Sequence, residues 1–168
     1  MKIKTLTSLS ILSAAALILF VIEAQIPTLI PIPGIKLGIS NVVTLFTAYA
    51  MSRKKAGFVL AVRVVLGSIF TGQALAFIYS ACGAILSFAV LCALKSVLSK
   101  KQMWAAGGFC ALAHNAAQLL AACIVMRTQA VFWYAPVLCI SGVITGIFTG
   151  LAAQLTLQSL ERSGVRFT

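Results

Sequence analysis

The chain has 168 residues, 61% of them hydrophobic and only 9% charged, with thirteen Lys or Arg against two acids for a formal net charge of +11. A soluble domain carries roughly a quarter charged residues and about half apolar ones, so the composition excludes one. Disorder is excluded too, because it requires low hydrophobicity. The cations sit in short clusters between long apolar runs, as in a multi-spanning membrane protein. They do not form the basic face with polar or aromatic neighbours that nucleic-acid binding needs, so no nucleic-acid partner is expected.

A spanning helix needs about 20 apolar residues. Apolar runs at 6–25, 37–52, 56–72, 74–94, 103–126 and 132–158 predict six transmembrane helices filling one all-α domain, residues 1–168. Asn41 and Arg63 interrupt the second and third runs. The first run is longer than the apolar core of a signal peptide, and Ile22-Glu23-Ala24 is a poor cleavage site, so an uncleaved first helix is expected.

The basic clusters orient these helices. Lys2 and Lys4 precede the first run, and Arg53, Lys54 and Lys55 follow the second. Lys95, Lys100 and Lys101 separate the fourth from the fifth, and Arg162 and Arg166 follow the sixth. Six alternating helices put all ten on one side, which the positive-inside rule makes the cytoplasm. Both termini are therefore expected in the cytoplasm, and the protein in the cell (plasma) membrane. Only Lys36, Arg63 and Arg127 fall elsewhere.

Polar side chains at membrane depth are costly and mark a functional interior. Glu23 lies near the outer end of helix 1, Lys36 closes the following loop, and Asn41 stands one turn into helix 2. Arg63 lies near the middle of helix 3 and Gln73 at its outer end. His114, Asn115 and Gln118 lie near the middle of helix 5, where the four-residue spacing of His114 and Gln118 gives them one face. A buried Arg needs a partner, and Glu23 is the one acid in the membrane region. Two readings follow: a Glu23–Arg63 pair that fixes packing, or Lys36 and Arg63 as the cationic lining of an outward-facing cavity for an anionic ligand.

Three prolines make residues 27–36 a rigid non-helical segment. Its isoleucines and Leu29 suit a lid over the bundle mouth or an interfacial turn. Gly142, Gly146 and Gly150 form a small-residue ridge on helix 6 suited to close packing. Ser10, Ala14 and Ala15 give helix 1 a smooth face for packing or for another membrane subunit. Trp104 at one end and Trp133 with Tyr134 at the other fit interfacial belts. The five cysteines lie inside predicted helices without C-x-x-C spacing and are expected to fill core space.

The chain has no aspartate. Magnesium-dependent diphosphate chemistry holds its metal through carboxylates, and no phosphate loop for ATP is present. His114 has no second His or carboxylate at ligand spacing. The residues thus predict a binding protein and no enzyme, with no metal and no cofactor. Any uphill transport needs separate ATPase subunits or a gradient.

The run Pro33-Gly34-Ile35-Lys36-Leu37-Gly38-Ile39-Ser40-Asn41, with Glu23, Arg63, His114-Asn115 and Gln118, resembles the pattern of a bacterial family termed heptaprenyl diphosphate synthase component I, or Gx transporter. The six-helix layout also resembles the S components of energy-coupling factor vitamin transporters. That second likeness implies a loop covering an outward-facing pocket, and a face of Ser10, Ala14 and Ala15 docking on a transmembrane coupling subunit. Ser10-x-x-x-Ala14 stands where those proteins carry A-x-x-x-A.

The leading expectation is a substrate-binding membrane subunit, S-component-like, for a small anionic vitamin- or cofactor-like molecule such as a flavin. Lys36 and Arg63 would meet its anionic group; Asn41, His114, Asn115 and Gln118 would read polar edges. The alternative is a non-catalytic membrane accessory subunit of a heptaprenyl diphosphate synthase. A third is a stand-alone secondary carrier. Expected partners are the ligand, membrane lipid and, for the first reading, coupling and ATPase subunits.

Overall fold

The computed structural model describes residues 3–25, 38–72 and 74–164. The segment expected to form a lid, with Lys36, lies outside the described residues, as does Gln73. The described residues form six α-helices: α1 (Ile3–Gln25), α2 (Asn41–Ala50), α3 (Arg53–Thr71), α4 (Ala74–Leu94), α5 (Met103–Met126) and α6 (Ala135–Arg162). Short 3-10 turns, Lys100–Gln102 and Gln129–Tyr134, lead into α5 and α6. No strand occurs among the described residues.

Four segments are long and apolar enough to cross a membrane: Ile3–Gln25, Phe77–Leu94, Lys100–Met126 and Gln129–Arg162. Isoleucines and phenylalanines such as Ile11, Ile69, Phe70, Ile144 and Phe148 face outward, a surface that suits lipid and not water. The other two helices differ in kind. α3 has 19 residues but carries Arg53, Lys54, Lys55 and Arg63. α2 has only ten residues, about 15 Å at 1.5 Å per residue, or half a bilayer core.

The apolar run from 37 therefore yields a half-helix starting at Asn41. Gly38 explains the start: its φ of 78° is left-handed, a conformation that breaks a helix and favours glycine. The Asn41 N–H then bonds the Gly38 carbonyl at 2.9 Å. At the other end, the Lys95 ammonium donates to the Ala48 carbonyl and stands 6.0 Å over the Tyr49 ring. A cation there suits the negative end of the helix dipole.

α5 packs most extensively on α6 and next on α4; α3 joins α1, α2 and α4; α2 touches α1, α3 and α6. The glycine ridge is internal. A Cβ on Gly146 would meet the Gly107 carbonyl oxygen at 2.6 Å and the Ala111 Cβ at 2.7 Å, and one on Gly150 would meet the Trp104 Cα at 2.7 Å. Backbone thus packs on backbone along α5–α6, which only small residues permit.

Cross-links between elements bring the helix ends into register. The Tyr49 hydroxyl donates to the Leu98 carbonyl at 3.4 Å, and Lys100 pairs with Glu161 at 2.6 Å. The end holding the C-termini of α2, α4 and α6 therefore collects Arg53, Lys54, Lys55, Lys95, Lys100, Lys101 and Arg162. Lys4 joins them in the first turn of α1. A core around Phe46, Tyr49, Leu91, Met103 and Leu157 seals this end. A second, around Tyr79, Leu119, Ala122 and Leu138, lies toward the other.

The cysteines depart from the expectation of core filling. All five are free, only Cys110 is buried, and Cys82 and Cys139 are exposed. A six-helix bundle turns most of each helix outward, where a thiol is apolar enough for lipid.

Candidate functional site

The N-terminus of α2 meets buried polar groups from three other helices. Glu23 comes from the last turn of α1, Arg63 from the middle of α3, and His114 and Gln118 from the middle of α5; their exposures are 4%, 3%, 6% and 1%. With Phe20, Gly38, Ser40, Asn41 and Ser80 they line one cavity. Helical spacing explains the grouping: each residue lies on the inward stripe of a helix whose other faces are apolar.

The Glu23 carboxylate works as a cap supplied by another helix. One oxygen accepts the Gly38 N–H; the other accepts the Ser40 N–H and the Ser40 hydroxyl, both at 3.4 Å. Ser40, the N-cap residue, makes no side-chain cap bond of its own. An anion at a helix N-terminus is favoured by the unsatisfied amides and the dipole. The Ser40 hydroxyl also accepts from the Arg63 guanidinium at 2.6 Å, and Asn41 Oδ1 accepts from the same nitrogen at 2.9 Å. Glu23 and Arg63 are thereby joined through Ser40, and the only ion pair among the described residues is Lys100–Glu161.

Of the two readings of these charges, a direct Glu23–Arg63 ion pair is not formed among the described residues; the two groups meet only through Ser40. Within this cluster, Arg63 Nε and His114 Nδ1 are buried without a hydrogen-bond partner among the described residues. The imidazole has a backbone bond to Gly83. It also leans on that glycine so closely that a Cβ there would fall 2.7 Å from its Cε1. Unpaired buried polar atoms cost about 1–3 kcal/mol each, which makes them candidate ligand contacts.

The cavity is nearly filled by its own side chains, with about 10 Å³ left free, the space of a single water and far below the 300–1,000 Å³ of ordinary small-molecule sites. A second small cavity of about 20 Å³ adjoins it, sharing Gly38 and Asn41 and reaching Ser87, Cys110 and Thr149.

Of the candidate residues, Glu23, Asn41, Arg63, His114 and Gln118 come together. Asn115 lies elsewhere: its amide donates to the Leu138 carbonyl at 2.8 Å and packs on Gly142, in the α5–α6 seam. Ser10 and Ala14 face outward on α1, whereas Ala15 is half-buried. Ser40, Ser80 and Gly83 escaped the sequence reading. Ser40 stood within the recognised glycine-rich run; Ser80 and Gly83 carry no signal, since small residues are ordinary in membrane helices. Among the described residues no group of three or more His, Cys, Asp or Glu could hold a metal.

The family model of heptaprenyl diphosphate synthase component I matches residues 12–156. The chain belongs to this family. The match spans every element of the polar cluster, from α1 to α5. No curated protein and no solved structure matches the chain. A heptaprenyl diphosphate synthase component I with this fold is an all-helical, multi-pass membrane protein.

Proposed function

We propose that this chain is a non-catalytic membrane accessory subunit of a heptaprenyl diphosphate synthase, resident in the plasma membrane with its basic end in the cytoplasm. The family match over residues 12–156 carries the reading. The chemistry of the chain agrees with it. A sequence without aspartate lacks the carboxylates that would hold magnesium on a diphosphate, so the condensation belongs to a separate catalytic subunit. The basic end supplies the surface for a soluble partner and for anionic lipid.

A second reading is favoured by one specific observation, the buried polar cluster at the N-terminus of a half-helix. Broken helices of this kind form ligand sites in membrane transporters. In that reading the chain is an S-component-like subunit for a small anionic cofactor-like molecule such as a flavin. Arg63 and His114 would meet its polar group, and coupling and ATPase subunits would dock on α1.

One experiment separates them. The full chain is purified in mild detergent from its native membrane, and co-purifying small molecules and proteins are identified by mass spectrometry. A prenyl diphosphate synthase subunit or a polyprenyl diphosphate is expected. A flavin, or a coupling subunit with ATPases, overturns the accessory-subunit reading in favour of the second.

A further inference from the structure

The two long helices α1 and α6 border the same half-helix without forming an interface of their own: α1 packs on α3 and α2, and α6 on α5 and α2. Because α2 is short, it floors the gap and leaves a lateral groove. Ile11 and Leu12 of α1, Val42 and Phe46 of α2, and Ala153 and Leu160 of α6 wall a space of about 290 Å³. That is the lower end of the small-molecule range, enough for a single slender chain. The two hydroxyls in the groove are already committed, Ser8 donating to the Lys4 carbonyl at 3.0 Å and Thr156 to the Ala152 carbonyl at 2.8 Å. The walls offer hydrocarbon contact and little else.

Charge is confined to one mouth. Lys4 stands one turn before Ser8, Arg162 two residues beyond Leu160, and α2 runs into Arg53 and Lys54; all four cations are exposed. An apolar slot ending in four cations matches an amphiphile with an anionic head and a single apolar tail. A diphosphate on one isoprenoid chain fits better than a phospholipid, which carries less headgroup charge and two chains.

We propose that the α1–α2–α6 groove binds the isoprenoid tail of a polyprenyl diphosphate, with the diphosphate at Lys4, Arg53, Lys54 and Arg162. The proposal rests on the accessory-subunit reading and gives that subunit its ligand: it takes the chain end of the product into the membrane. The polar cluster around Arg63 is not part of this site.

The test uses the full chain in phosphatidylcholine nanodiscs and, as probe, farnesyl diphosphate carrying a photo-activatable group on its distal isoprene unit. Crosslinks are expected on α1 and α6 peptides, and unlabelled geranylgeranyl diphosphate should compete at least tenfold better than phosphatidylglycerol. Thr156→Trp and Ile11→Trp fill the groove from exposed positions; each should cut labelling at least tenfold at unchanged thermal stability. Lys4→Gln combined with Arg162→Gln should lower labelling several-fold and flatten its salt dependence, while Arg63→Gln leaves it unchanged. Equal competition by phosphatidylglycerol, crosslinks scattered over the outward surface, or indifference to both Trp variants would overturn the proposal. Capture of a synthase subunit without groove labelling sinks the groove alone; the absence of both sinks the accessory-subunit reading with it.

Discussion

The Ser40 hydroxyl stands between the Glu23 carboxylate and the Arg63 guanidinium, accepting from the second at 2.6 Å and donating to the first at 3.4 Å. A hydroxyl can do both at once. Both charged groups are buried, and removing one partner of a buried pair costs about 3–5 kcal/mol because the other is left uncompensated. Glu23→Ala and Arg63→Ala should each lose about that much in detergent unfolding. The double replacement Glu23→Ala with Arg63→Ala should lose clearly less than the sum of the singles. Strict additivity would show that the two groups do not communicate through Ser40.

The other acid offers a control of opposite character. Glu161 pairs with Lys100 at the basic end, with side chains 46% and 55% exposed. Exposed pairs contribute about 0–1 kcal/mol and are screened by salt. Glu161→Gln should therefore shift the unfolding midpoint little, and not at all in high salt.

Gly83→Ala tests how the imidazole is seated. An added methyl would intrude on His114, so the ring must turn or α4 must move, at about 1–3 kcal/mol for overpacking. If His114 contacts a ligand, Gly83→Ala should weaken binding of the co-purified molecule about as much as His114→Ala does, measured by calorimetry. Normal binding in both variants would remove His114 from the site.

Gly146→Val places side-chain atoms where the Gly107 carbonyl and Ala111 now sit. Neither neighbour is a flexible side-chain end, so helix separation is the one relief. A loss of several kcal/mol, or of folded yield in size-exclusion chromatography, is expected. Phe148→Leu on the exposed face of the same helix should stay within about 0.5 kcal/mol.

Much of this architecture is legible from one sequence, and the parts that are not have physical causes. α4 and α5 begin and end at the residues that hydropathy gives, because nothing but apolar periodicity and basic flanks sets their limits. α2 is misjudged in length because Gly38, which stops it, looks like any other small residue in an apolar run until its φ is known. Glu23, Arg63, His114 and Gln118 stand out because lipid tolerates few such side chains. Asn115 stands out for the same reason, yet its amide serves the Leu138 carbonyl. Polarity at depth reports the need for a partner, and the partner can be a backbone. Ser40 gives no warning, since its role depends on two residues 17 and 23 positions away.

Both ends of α2 are fastened by charges from other elements: Glu23 at the amide end and Lys95 at the carbonyl end. Ten residues form a marginal helix by themselves, so this one keeps its place through what grips it. Sliding it along its axis would break one grip or the other. The segment therefore behaves as a stiff pin, and displacing Glu23 at the polar cluster would be felt some 15 Å away, at ten residues of helical rise, where Lys95 and the basic end lie. A message from the middle of the bundle to its basic end needs no moving bundle, only a pin let go at one end.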